Sequence, residues 1–275
     1  MPTMTYDTVL FSKDDGIARV TLNRPEVRNA INQQMQDELR DVWGDIRYDN
    51  DVRCVILDGA GHSFCTGADR SESVSEENTD AMAAGDFPGF PTPWMYDDPG
   101  RDIGPKSRDC WKPVIAAVQG MACGGAFYML GEVEFIIASE DATFFDPHVT
   151  YGMPAAFEPI QMLSKMPFQE VMRMSLLGVH ERMSAERARE IGLVSEVAPR
   201  DELNARAEWA ARVIADSPAL AIQGTMRALW TALEVSRQQA IELAALYIRI
   251  GADSESFKAG QARFASGTRP EWRLR

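Results

Sequence analysis

Histidine is scarce in this chain: His62, His148 and His180 are the only three in 275 residues. No two of them stand at ligand spacing, which argues against a metal centre. Cysteine is almost as sparse, and the four present, Cys54, Cys65, Cys110 and Cys123, show neither paired metal-binding spacing nor the density of a disulfide-stapled secreted domain. They read as free, mostly buried thiols in a reducing compartment. Positive charge is in deficit, with 28 Lys plus Arg against 41 Asp plus Glu and a formal net charge of −13. That balance argues against general nucleic-acid binding, which needs cations to neutralise phosphates. A small phosphorylated ligand remains compatible, because a few local donors suffice for it. No apolar run reaches bilayer length. Residues 1–7 lack a basic stretch followed by an apolar one, so a cytoplasmic protein with no membrane span is expected. Three common nucleotide or nucleophile signatures are missing too. The glycines at Gly59 and Gly61 follow a strand without the third glycine of a dinucleotide fingerprint, and neither a phosphate-cradling loop nor a Gly-x-Ser-x-Gly elbow occurs.

What is present is an ordinary globular composition, 45% hydrophobic and 25% charged, in a chain long enough to bury a core without staples. Apolar runs at 9–11 and 17–22 flank the turn formers Asp14, Asp15 and Gly16, which predicts a β-hairpin. Ile31, Met35, Leu39, Val42, Trp43 and Ile46 then recur at helical spacing, with Asn29 as the expected N-cap. Strands are expected at 52–57, 114–118 and 135–138. From about residue 184 the pattern turns helical, over 184–192, 201–216 and a long stretch 218–251. The expectation is a mixed α/β core over 1–198 and a helical region over 199–275. An insertion at about 70–111 breaks the periodicity, and Phe87, Phe90, Trp94 and Tyr96 fall among its prolines and glycines. It reads either as a solvated insertion or as a lid whose aromatics serve an apolar pocket.

Two segments are alike physically. Phe64-Cys65-Thr66-Gly67-Ala68-Asp69 and Met121-Ala122-Cys123-Gly124-Gly125-Ala126 each follow a strand and present backbone N–H groups beside glycine, where a ligand meets no Cβ. The second also opens a helix, whose dipole favours negative charge. Two such donors converging on one point would form an oxyanion hole.

These segments, preceded by Asn23-Arg24-Pro25-Glu26-Val27-Arg28-Asn29-Ala30-Ile31-Asn32 and joined by Pro113-Val114-Ile115-Ala116-Ala117-Val118-Gln119-Gly120, resemble in order and spacing the crotonase superfamily of enoyl-CoA hydratases and isomerases. The resemblance spans essentially the whole chain, including Ser184-Ala185-Glu186-Arg187-Ala188-Arg189-Glu190-Ile191-Gly192-Leu193-Val194. It implies a ββα spiral core followed by a helical C-terminal trimerisation region, assembled as a homo-trimer or hexamer. It further implies an acyl-CoA thioester as ligand and no resident cofactor, since coenzyme A arrives with the substrate. By motif position, the N–H groups of Ala68 and Gly125 would hold the thioester oxygen as an enolate develops. Arg28 and Ala30 would contact coenzyme A; for Arg28 a solvated charge at the start of a helix is the other reading. Thr66, Gly67, Asp69 and Gly124 would line the ligand, and Lys258 and Phe264 would reach the coenzyme A of a neighbouring subunit.

The same correspondence exposes departures. Hydratases of this family use two glutamates, and their places fall here on Tyr128 and on His148 in Phe144-Phe145-Asp146-Pro147-His148. Histidine titrates near neutral pH and suits acid–base work; a buried structural role is its other reading. Tyr128 either donates a hydrogen bond to substrate or His148 or fills pocket volume. Glu158 is a second candidate base, or else a carboxylate favoured by a helix N-terminus. Asp146 is the other nearby carboxylate, either orienting His148 or kept from direct contact by the two-residue separation across Pro147, while Cys65 and Cys123 read as packing. The expected activity is enolate chemistry on an enoyl-CoA or related acyl-CoA, with a bulky acyl group suggested by the aromatic insertion. Isomerisation, decarboxylation, and retro-Claisen cleavage or thioester hydrolysis of a ring-bearing or branched acyl group stay open, as does a non-catalytic acyl-CoA binding protein on the same fold.

Overall fold

The structure is a computed structural model, and it describes residues 6–70, 100–267 and 269–275. The aromatics at Phe87, Phe90, Trp94 and Tyr96 lie outside the described residues. The chain forms two compact units, Met1–Trp209 and Ala210–Arg275.

The first unit begins with the expected hairpin, β1 (Val9–Asp14) antiparallel to β2 (Ile17–Leu22). Helix α1 (Gln33–Tyr48) follows, burying Met35, Leu39, Val42, Trp43 and Ile46 along one face. Its N-cap is Asn32, whose side chain accepts from the Met35 N–H at 3.0 Å. Asn29, the expected cap, has another task. It is fully buried at φ 57°, a left-handed conformation that asparagine tolerates better than most residues. Its Nδ2 donates toward the carbonyls of Ala60, Ser63 and Phe64 at 2.9, 2.9 and 3.0 Å, and its Oδ1 accepts from the Arg24 N–H at 2.8 Å. Asn29 thus fastens the 23–31 loop to the 60–64 loop. Asn29→Ala would strand several buried carbonyls and lower stability by about 3 kcal/mol, read as a lower urea midpoint at unchanged slope.

Strand β3 (Cys54–Gly59) lies two residues later than the expected 52–57, and β4 (Val114–Val118) and β6 (Phe135–Ser139) lie where the apolar runs predict them. Four short strands were invisible to periodicity: β5 (Met121–Cys123), β7 (Thr143–Phe145), β8 (Met183–Ser184) and β9 (Glu196–Ala198). None exceeds three residues, too few to display alternation. One sheet runs β1-β2-β3-β4-β6-β9 and is parallel beyond the hairpin; the other runs β5-β7-β8. The chain climbs from one sheet to the other and back through a helix: β4, β5, α2 (Ala126–Gly131), then β6, β7. This is the ββα spiral, and each turn lays its second segment beside that of the turn before. Isolated bridges extend the second row, Ile31 with Ala68 and Cys65 with Ala122.

After β7 come α3 (Phe157–Met162), α4 (Phe168–Leu177) and α5 (Ala185–Glu190). Helix α6 (Leu203–Ala215) starts within the first unit, past the expected boundary at 198, because ion pairs Arg206–Glu196 (3.8 Å) and Arg19–Glu208 (2.8 Å) tie its first turns to the sheet.

In the second unit the stretch 218–251 is two helices rather than one, α7 (Ala219–Glu234) and α8 (Arg237–Gly251). Val235 is extended, and Ser236 restarts the helix with a capping box to Gln239. The two pack closely where Gly224 meets α8, since a Cβ there would stand 2.7 Å from the Tyr247 carbonyl oxygen. Helix α9 (Ser254–Ala265) follows, capped by Asp253. No helix among the described residues is long and apolar enough to cross a membrane.

Candidate active site

Three successive turns of the spiral supply the site. The first and second are sewn together by Ile31 N–H to the Gly67 carbonyl and Asp69 N–H to the Ile31 carbonyl, both 2.8 Å. The second and third are joined by Cys65 N–H to the Met121 carbonyl and Cys123 N–H to the Cys65 carbonyl, both 3.1 Å. These bonds set the two glycine segments side by side. Gly67, at φ +83°, comes so close that a Cβ on it would stand 2.9 Å from the Gly125 nitrogen and 3.0 Å from the Cys123 carbonyl oxygen. A Cβ on Gly125 would in turn stand 3.5 Å from the Ala68 nitrogen. Ala68 and Gly125 donate their N–H groups to nothing among the described residues. Two unengaged backbone donors at neighbouring points are an arrangement able to hold one oxygen.

The next turn brings the titratable groups. β7 pairs with β5 in parallel, so the chain leaving β7 at Phe145 runs alongside Cys123 and the glycines after it. Asp146 follows, fully buried, and its Oδ1 accepts from the His148 N–H at 2.9 Å, a turn of the Asx type across Pro147. The same oxygen lies 2.6 Å from His148 Nδ1. On the other edge of the ring, His148 Nε2 lies 3.5 Å from Glu158 Oε1. Glu158 stands in the first turn of α3 and is 5% exposed. Cε1 of His148 lies near Gly124, 3.7 Å from where a Cβ would be. The hydrogen bond to Asp146 raises the His148 pKa above its ordinary value, and the charges of Asp146 and Glu158 add to it, while burial and Arg70 oppose it.

The structure places the remaining candidates as follows. Gly67 is buried and Thr66 half-buried, with the Thr66 hydroxyl donating to the Arg28 carbonyl at 3.3 Å. Arg28 is exposed at φ 55°, and Ala30 is buried, its carbonyl accepting from Arg24 at 2.6 Å. The Asp69 carboxylate is held by the Arg24 guanidinium at 2.8 Å, a pairing that braces the Ala68 segment. Tyr128 is buried in the apolar core with its ring against Gly100. The polar side-chain neighbours of His148 among the described residues are Asp146 and Glu158, and Tyr128 is not one of them. Cys65 and Cys123 are buried free thiols pushed up to about 12 by burial, so they stay protonated and serve packing. Lys258 and Phe264 lie exposed on α9 in the second unit, where Arg269 stacks on the Phe264 ring at 4.9 Å. The contact that sequence reasoning undervalued is Asp146 to His148. Its signal was there, since an Asp two residues before a backbone N–H is the spacing of an Asx turn.

Comparison with known proteins gives the family. The family model described as enoyl-CoA hydratase/isomerase matches residues 12–275. A curated relative, the (E)-benzylidenesuccinyl-CoA hydratase of Thauera aromatica, is 33% identical over 94% of this chain and 95% of its own length. The short-chain-enoyl-CoA hydratase of Clostridium acetobutylicum is 32% identical over 78% of each chain. Among solved structures, an enoyl-CoA hydratase/isomerase from Mycobacterium paratuberculosis superposes with a TM-score of 0.84 at 34% identity, covering 98% of this chain and 100% of that one. The fold is the crotonase fold, and the chain belongs to the enoyl-CoA hydratase/isomerase family of acyl-CoA enzymes.

Proposed function

We propose that this protein adds water reversibly across the α,β double bond of an enoyl-CoA, using His148 and Glu158 as its proton-transfer pair. The observation that carries this reading is the imidazole of His148 set between Asp146 at 2.6 Å and Glu158 at 3.5 Å, beside Gly124. The N–H groups of Ala68 and Gly125 donate to the thioester oxygen and stabilise the negative charge that develops on it.

Asp146 accepts from Nδ1, so Nε2 is the nitrogen that faces Glu158. With His148 protonated, Nε2–H and the Glu158 carboxylate form an acid and a base beside one another. Glu158 takes a proton from water as the hydroxyl adds to the β-carbon, and the π electrons of the double bond move to the thioester oxygen as an enolate. Nε2–H then protonates the α-carbon. The proton now on Glu158 passes across the 3.5 Å gap to Nε2 and restores the starting state. Water is consumed and no redox partner is needed. Coenzyme A enters as part of the substrate, so the cycle calls for no resident cofactor.

On the motif correspondence, His148 stands at one place where the family uses glutamate, and Glu158 supplies the carboxylate that Tyr128 cannot. Tyr128 fills core volume against Gly100. Arg28, Ala30, Thr66 and Gly67 line the coenzyme A side in this reading, with Lys258 and Phe264 reaching the ligand of a neighbouring subunit. Exposed apolar side chains on the second unit, among them Leu229, Ile248 and Phe257, suit burial in a homo-trimer or hexamer in the cytoplasm. The relative's printed substrate, a benzylidenesuccinyl thioester, supports a bulky acyl group here as well.

The test is a panel of straight-chain, branched and ring-bearing enoyl- and 3-oxoacyl-CoA thioesters incubated with the protein and followed by mass spectrometry, with a parallel run in heavy water. The expected result is gain of one water by an intact enoyl thioester, with solvent deuterium at the α-carbon. Release of free coenzyme A would point to hydrolysis, and α-deuteration without water gain to isomerisation. Tight binding of panel members with neither product nor exchange would replace the enzyme reading with an acyl-CoA carrier.

A further inference from the structure

Asp146 takes no part in the proton cycle above, yet it is fully buried against the site. We propose that Asp146 is a positioning residue, which holds His148 in the Nδ1–H form and aims Nε2 at Glu158. The catalytic consequence rests on the reading of His148 as proton donor; the effect on the ring does not.

The geometry is over-determined. One oxygen, Oδ1, meets both the His148 backbone N–H at 2.9 Å and Nδ1 at 2.6 Å. A carboxylate is an acceptor only, so Nδ1 must carry the proton. The backbone contact locks the start of the His148–Tyr151 turn, and the ring contact locks χ angles that would otherwise be free. Pro147 and the left-handed Gly152 bound that turn. The other oxygen, Oδ2, is buried with no hydrogen-bond partner among the described residues. Burying half of a carboxylate unsatisfied is unfavourable. A Ser would cap the same turn without a second buried polar atom, so the carboxylate itself is what the site retains. Its effect falls on His148.

Among the described residues the other groups facing the ring are few. Glu158 approaches from α3, and Arg70, in the segment after Ala68, acts on His148 through space while stacking on Tyr151 at 5.6 Å and donating to Met153 Sδ at 3.6 Å. The Cys123 thiol near Asp146 stays neutral, its pKa pushed up to about 12. Arg70 opposes protonation of His148, and Glu158 favours it. Two carboxylates compete for the ring hydrogen, and Asp146, 2.6 Å from Nδ1, is much the closer, since Glu158 stands 3.5 Å from Nε2.

Nitrogen-15 NMR of the ligand-free protein reads this directly, because the chain has only three histidines to assign. The wild type is expected to keep Nδ1–H when His148 becomes neutral. In Asp146→Asn the amide can turn its NH₂ toward Nδ1, so the neutral ring should shift toward Nε2–H and His148 should titrate at lower pH. Asp146→Glu should restore most of both. On whichever thioester the panel shows to react, Asp146→Asn should lower kcat by on the order of 10²–10⁴-fold with KM little changed, as expected when a wrong tautomer is imposed on an acid–base histidine. A neutral wild-type ring protonated at Nε2 overturns the proposal even if no variant folds, as does an unchanged tautomer and titration in folded Asp146→Asn. Should the NMR behave as expected while no panel thioester reacts, the hydratase reading fails and the role of Asp146 stands.

Discussion

His148→Gln is expected to lower kcat/KM for the hydrated thioester by on the order of 10²–10⁴-fold, the range for removal of a general acid–base group. Glutamine preserves size and polarity, so the fold should survive, but it cannot exchange a proton near neutral pH. The pH dependence makes the test sharper. The cycle needs His148 protonated and Glu158 ionised at its start. Because the hydrogen bond and charge of Asp146 raise the His148 pKa, the protonated form persists to higher pH than in an ordinary histidine. Hydration should therefore hold as pH rises past the usual histidine range and fall only as His148 loses its proton at its raised pKa. A kcat/KM profile in which that alkaline fall is absent, or is unchanged in His148→Gln, would remove His148 from the reaction.

The second large effect is expected at Gly67, which acts through the backbone. Gly67→Ala places a Cβ 2.9 Å from the Gly125 nitrogen and 3.0 Å from the Cys123 carbonyl oxygen, both backbone atoms that cannot swing aside. It also forces an L-residue to φ +83°, which by itself costs roughly 1–2 kcal/mol. The two glycine segments must part, and the donors of Ala68 and Gly125 would no longer converge. Loss of one such donor typically lowers kcat by about 10²–10³-fold, and that is the expected deficit, together with a lower Tm. Gly192→Ala separates strain from crowding. Gly192 has φ +89° and nothing within 4 Å of where a Cβ would stand, so this variant should lose stability through strain alone and keep its kcat. Equal kcat values for Gly67→Ala and wild type would show that the two N–H groups hold no developing charge.

The contrast between these positions bears on what a sequence reveals. The hairpin β1–β2, the helix carrying Met35 to Ile46, and the strands at 114–118 and 135–138 were legible because each is long enough to show a period or an unbroken apolar run. The strands of the second sheet were not, since two or three residues carry no periodicity and only pairing partners from other turns define them. Asn29 looked like a helix cap because its residue type favours that place; its burial under the 60–64 loop decided otherwise. The break at Val235 was likewise hidden within a continuous helical composition, and only the restart at Ser236 marks it.

By itself the sequence determined the family, through glycine segments that follow strands in the family's order and spacing, and the resemblance named two candidate backbone donors. Glycine is legible there because it leaves a bare N–H that a ligand can approach without meeting a Cβ. On the resemblance, the sequence also singled out His148 as a candidate acid–base group. Only the tertiary structure decided which groups His148 meets. Asp146 reaches the ring because Pro147 folds the chain back on itself. Glu158, ten positions further along, arrives through the turn at Gly152 and the start of α3. Proton transfer depends on gaps of a few ångströms between side chains, and such gaps are set by packing between turns of the spiral rather than by the order of residues along it.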